Sequence, residues 1–315
     1  MPYTFADLHC HPTMYPFNRM RNRPNMEADP DMFHPWRMLP SNLRHMERGY
    51  RAASYTQSSF AQLTRGNVRL VFAALSPIER GFFGVGPDGQ RHPFVLEALR
   101  ILTGATIVKS GVDLVRRGRK QALQEITKIL RNDGPLRVLL DSLYVRHPSG
   151  RIRYILSEEY DYWHELQREY EFLCSLSGQR QDASVPSMRD GGFVEEMVNG
   201  CYHVVPNRDQ LERIVERKAD EIAVVTSIEG GHVFTIGPDH KPVEPELMIQ
   251  RIGELRSLSR PIFFITLAHH FDNGVCGHCR SIPEHGQLVI DQAARLGAGL
   301  EREGELGMRV IRELL

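Results

Sequence analysis

The sequence predicts an α/β fold built on a parallel sheet, and three observations predict it. Residues 67–75 (NVRLVFAAL), 221–228 (EIAVVTSI) and 261–268 (PIFFITLA) are short and almost continuously apolar, the pattern of strands buried on both faces. From residue 202 onward such runs alternate with amphipathic helical stretches, as in a sheet covered by helices. His9, Glu229 and His269 each stand just past the apolar part of a strand. In parallel α/β sheets, functional residues gather at the carboxyl ends of strands.

The elements follow in order. Residues 3–9 read as a first strand that starts almost at once, with Asp7, His9 and His11 at two-residue spacing and therefore on one face of an extended chain. Residues 15–48 are rich in Pro, Asn, Arg and Met without a clean period, and read as a long loop or irregular cap. Residues 93–131 read as helical, with Arg116, Arg117, Arg119 and Lys120 on a solvated face. Residues 157–176 carry Trp163, Leu166, Tyr170 and Leu173 at helical spacing, an amphipathic helix whose aromatics belong to the core. Residues 177–192 read as loop. Residues 202–205 are a short strand, after which Asn207 or Asp209 caps a helix running to about Lys218. Residues 244–258 are a helix with Leu247, Ile252 and Leu255 inward.

Composition narrows the function classes. In 315 residues, 41% are hydrophobic and 25% charged, and Lys+Arg equals Asp+Glu at 39 each. That balance gives no electrostatic footprint for nucleic acid and no polybasic signal for a membrane. No apolar run approaches the ~18 residues of a membrane span. The N-terminus lacks a basic segment followed by an apolar one, so a cytoplasmic setting is expected. Five scattered cysteines do not make a disulfide framework.

Candidate chemistry lies in a few segments. His9-Cys10-His11 places two imidazoles on one face, which suits one divalent metal; the alternative is an ordinary polar strand end. Asp7 either orients a histidine or caps a turn. In Ile228-Glu229-Gly230-Gly231-His232, a carboxylate after a buried strand can bridge metals, or can simply be exposed in a turn. His269-His270-Phe271-Asp272 follows another strand, and a histidine there can contact a substrate carbonyl or move a proton. Cys276-Gly277-His278-Cys279 is a lone C-x-x-C and reads as loop thiols. No nucleophile elbow, P-loop or dinucleotide fingerprint is present.

Taken together, these segments resemble the renal, or membrane, dipeptidase family of zinc metallopeptidases, within the amidohydrolase-type barrels. The resemblance rests on His9-Cys10-His11, on Ile228-Glu229-Gly230-Gly231-His232, on Ile265-Thr266-Leu267-Ala268-His269 and on the stretch from Gly299-Leu300 through Leu306-Gly307-Met308-Arg309-Val310. It covers residues 1–11 and about 202–315. It implies a (β/α)8, TIM-barrel type fold of the metal-dependent hydrolase superfamily, forming a single domain over 1–315 with a largely helical insertion at about 80–200. It implies one or two Zn2+ ions held by His9, His11 and Glu229, with His269 as the catalytic histidine at the substrate carbonyl and a metal-activated hydroxide as nucleophile. Asp7, His232, His270 and Asp272 are supporting candidates, and a small peptide is the expected substrate.

Two departures stand out. The family's H-x-D has His11 in place of the aspartate, which makes the site richer in nitrogen. The chain stops at Leu315, before the strand that brings the family two further histidines. A barrel incomplete on its C-terminal side is therefore expected, with copies either aggregating or associating as a homo-oligomer through the open edge. Two other readings compete. Asp7-Leu8-His9-Cys10-His11 also resembles the opening motif of the polymerase-and-histidinol-phosphatase phosphoesterases. The other is an inactive metal-binding fragment.

Overall fold

The computed structural model describes residues 3–21, 30–38, 58–83, 149–189, 192–217, 220–269, 271, 273–276 and 304–315. The expected helix at 93–131 with its basic patch, His270, Asp272 and residues 277–279 lie outside the described residues. The elements are β1 (Phe5–Cys10), α1 (Met14–Met20), α2 (Phe60–Arg65), β2 (Val68–Leu75), α3 (Ser149–Ile155), α4 (Tyr162–Ser175), β3 (Gln181–Arg189), β4 (Gly192–Val204), α5 (Arg208–Arg217), β5 (Glu221–Glu229), α6 (His232–Thr235), α7 (Pro245–Arg256), β6 (Ile262–Thr266) and α8 (Leu306–Leu314). The result is a mixed α/β fold around a sheet of mostly parallel strands.

β5 is the axis of that sheet. It pairs with β2 in parallel from Leu70↔Ala223 to Leu75↔Ile228, and β2 in turn pairs with β1. Its other edge is shared: the end of β4 covers its first half, Cys201↔Glu221 through Val204↔Val224, and β6 covers its second half, Thr226↔Ile262 through Glu229↔Thr266. The sheet therefore forks beside β5. Ile222, Ala223, Val224 and Ile228 are fully buried, as a strand covered on both faces requires. All the parallel strands end on the same side, so the residues that follow β1, β2, β5 and β6 share one rim.

The helices form where their sequences satisfy both ends and one face. Asp161 caps α4, its carboxylate accepting from the Trp163 amide at 3.0 Å, and Trp163, Leu166, Phe172 and Leu173 are buried below it. Asn207 is the residue that caps α5, accepting from the Gln210 amide at 3.0 Å. α7 buries Met248, Ile252 and Leu255, whereas Leu247, expected inward, is 40% exposed. Position 248 rather than 247 continues the spacing through 252 and 255.

Two segments expected to be irregular are ordered. Residues 181–189 form β3, antiparallel to β4 from Gln181↔Gly200 to Arg189↔Gly192, so the short strand expected at 202–205 is the end of one 13-residue strand. β3 alternates buried Ala183, Val185 and Ser187 with exposed Asp182 and Ser184. These inward side chains are too small and polar to stand out as an apolar run. Pro186 is tolerated because β3 is the last strand in the order β1-β2-β5-β4-β3. Gly200 is required on β4, because a Cβ there would overlap the Asp220 carbonyl and the Trp36 ring. Trp36 itself donates to the Val198 carbonyl at 3.2 Å, and Phe60 stacks on Tyr202 with centroids 4.3 Å apart. The other ordered segment is α1, whose Tyr15, Pro16, Phe17 and Asn18 are buried. Asn18 accepts from Arg151 Nε at 2.8 Å. Seven residues give little intrinsic helix stability, so α1 depends on such tertiary contacts.

Buried acids link α4 to the rest. Glu165 receives Arg151 at 2.5 Å, Arg21 at 2.9 Å and Arg168 at 3.4 Å. Among the described residues no cation touches Glu169, which accepts from the Thr13 hydroxyl at 2.6 Å and from the Ser76 amide at 3.2 Å. Burial pushes its carboxyl up to about 7, against those donors and the charge of His11. A raised folded pKa stabilises the fold fully below the ordinary carboxylate range, and that contribution is lost as pH climbs through the raised value. Between pH 4.5 and about 7, wild type is therefore expected to lose stability relative to Glu169→Gln. Urea unfolding of both proteins at a series of pH values measures this, and parallel curves would show that Glu169 titrates normally.

Candidate metal centre

Three strand ends meet at one carboxylate. Glu229 closes β5, and its two oxygens face three imidazoles: His9 Nε2 at 3.3 Å from Oε1, His11 Nε2 at 3.0 Å from Oε2, and His269 Nε2 at 3.4 Å from Oε2. His9 lies in β1 and His11 is the first residue past it, so the H-x-H spacing brings both rings to the same place, edge to face with centroids 4.9 Å apart. His269 follows β6. Burial increases across the site: the His9 side chain is 42% exposed, His11 24%, Glu229 18% and His269 10%. The centre is thus open at the β1 side and closed at the β6 side.

Two of the rings are held from behind. His11 Nδ1 lies 3.0 Å from the Ala74 carbonyl, which can only accept, so Nδ1 carries the hydrogen and Nε2 is the nitrogen turned to Glu229. His269 Nδ1 is in close contact with a carboxylate oxygen of Glu79, which fixes that ring the same way. A histidine anchored through one nitrogen to a carbonyl or carboxylate, with the other facing a shared point, is the usual arrangement behind a metal. Glu79 sits just after β2 and is 3% exposed.

His232 is a supporting residue of a different kind. It is 2% exposed, its Nε2 lies 3.0 Å from the Pro77 carbonyl, and its ring stacks on His269 with centroids 6.0 Å apart. Its Nδ1 is buried without a hydrogen-bond partner among the described residues and faces Glu79 at 3.9 Å. Burial pulls its pKa down. Asp7 does not reach a histidine ring; its carboxylate accepts the His9 backbone N–H at 3.0 Å and so fixes the end of β1. Cys10 stands between the two histidines, but burial, with Asp7 adding, pushes its thiol up to about 12, which keeps it protonated.

The electrostatics favour positive charge around Glu229. Burial raises the Glu229 carboxyl, but the hydrogen bonds from His11 and His269 outweigh it and hold the group well below the usual carboxylate range. Burial lowers His269, but Glu229 and Glu79 outweigh it and lift the imidazole to about 9; His11 is raised by Glu229 in the same way. The donor set fits a divalent metal. The nitrogens of His9 and His11 and an oxygen of Glu229 lie within 4.8 Å of one another. Two donors about 2.1 Å from one tetrahedral ion would be about 3.4 Å apart, close to the separations found here.

The turn after Glu229 seals the arrangement. Gly230 and Gly231 donate to the Thr266 and Leu267 carbonyls at 2.8 and 2.9 Å, tying the end of β5 to β6. Gly230 has φ +101°, and a Cβ there would overlap the His232 ring. Of these site residues the sequence motifs missed Glu79. The available signal was its position, four residues beyond the apolar run of β2, at the same rim as the others. Gly230→Ala is expected to cost about 1–3 kcal/mol of stability through backbone strain and displacement of His232. Denaturant unfolding checks it, and an unchanged midpoint would show that the turn can relax.

No protein-family model, no curated protein and no solved structure matches this chain.

Proposed function

We propose that the chain is a metal-dependent hydrolase and, within that class, a zinc-dependent dipeptidase on an amidohydrolase-type (β/α)8 barrel. The observation that carries the reading is the convergence of His9, His11 and His269 on Glu229, with the rings of His11 and His269 anchored through their far nitrogens. His9, His11 and Glu229 would hold the ion. A divalent ion there supplies Lewis acidity and lowers the pKa of a water molecule toward about 7. Protonated on both nitrogens, with Nδ1 held by Glu79, His269 could donate its Nε2–H to a substrate carbonyl oxygen as negative charge develops. Glu79 balances that charge from behind. The half-exposed His9 marks the side from which a small peptide would approach.

One observation favours a second reading. Histidine at position 11 gives the first metal site an additional nitrogen in place of the dipeptidase aspartate, which also suits a phosphoesterase. Parallel assays on a panel of dipeptides and on phosphate monoesters, with zinc added, separate the two.

Two variants test the roles. Glu229→Gln removes the negative charge from the donor set, and zinc bound per chain, measured by elemental analysis, should fall by the ions held at this centre. Unchanged zinc content would remove Glu229 from the site. His269→Ala should lower turnover by about 10²–10³ while zinc content stays near that of wild type. Equal losses of zinc and turnover would instead make His269 a ligand.

A further inference from the structure

β5 carries a second set of donors at its opposite end. The Glu221 carboxylate begins the strand and is almost fully buried. Beside it, in register, is Cys201 of β4, and two residues on, on the same face of β4, is His203. His203 Nε2 lies 2.7 Å from Glu221 Oε2 and 3.4 Å from Cys201 Sγ. One ring nitrogen thus faces a thiol and a carboxylate at once, and the three donor atoms lie within 4.8 Å of one another. Arg180 binds Asp220 in close contact and stands 3.7 Å from the other Glu221 oxygen. Cys201 is 2% exposed and Glu221 5%, while the His203 side chain is 24% exposed, so the cluster is closed on the protein side and open on one.

We propose that Cys201, His203 and Glu221 form a second cation site, taking a zinc-class divalent ion. Sulfur, imidazole and carboxylate from two adjacent strands match the donors that zinc accepts, with a fourth position left toward solvent. The nine residues of β5 separate this site from Glu229 by about 26 Å at about 3.3 Å per residue, so neither depends on the other. The ion would tie the end of β4, and with it the β3–β4 hairpin, to the central strand.

Cobalt reports the site, because a cobalt–thiolate bond gives a near-ultraviolet charge-transfer band that nitrogen and oxygen donors do not. Co2+ added to the purified full chain is expected to produce that band in wild type, in Glu229→Gln and in Cys10→Ser, and not in Cys201→Ser. His203→Asn, at the more exposed position, should keep the fold and weaken Zn2+ binding at this site by at least about tenfold. Thermal melting should show Zn2+ still stabilising Glu229→Gln. Absence of the band from wild type, its persistence in Cys201→Ser, or unchanged affinity in folded His203→Asn would each overturn the proposal.

Discussion

The placement of β5 between β2 and the pair β4 and β6 is the constraint on which the rest depends. A strand buried on both faces and paired on both edges has little freedom in register. Its ends are therefore fixed in space, and Glu229 is fixed with them. The opposing imidazoles do not come from β5 at all. They are carried by β1 and by the segment after β6, which reach Glu229 only because β2 and β6 pair with β5 in their observed registers. A one-residue slip of β1 would turn His9 to the other face of the sheet.

Charge at the centre is organised in layers. Nearest the opening, His9 and His11 face Glu229. Behind them, Glu79 faces His269 and His232, and deeper still Glu169 lies beside Ser76 and Thr13. Burial alone would neutralise such acids. Glu229 stays ionised because hydrogen-bonding imidazoles surround it, whereas Glu169, whose donors among the described residues are neutral, shifts upward. The same residue type thus has opposite titration behaviour within one cluster, and the difference lies in which neighbours in contact carry positive charge.

Much of the centre was legible because apolar runs end abruptly. The runs before Glu229 and His269 mark strand ends without any knowledge of the fold, and the two-residue spacing of His9 and His11 marks a shared face. Glu79 was not legible, since Ser76, Pro77 and Ile78 blur the end of β2. The β3–β4 hairpin was hidden for a different reason: Ala183 and Ser187 face the core but are no more hydrophobic than loop residues. α1 was hidden because its helicity comes from contacts with distant residues, among them Arg151. Leu247 was assigned to the wrong face by one position, an error of about 100° on a helix.

The anchoring of His11 and His232 has an evolutionary consequence. Both rings lean on main-chain carbonyls, those of Ala74 and Pro77, which every amino acid at those positions would also provide. The orientation of these two histidines is therefore insulated from the side-chain identity of their supports. His269 leans on the side chain of Glu79 instead, so the codon for residue 79 is the point at which drift can re-aim a ring without touching any histidine.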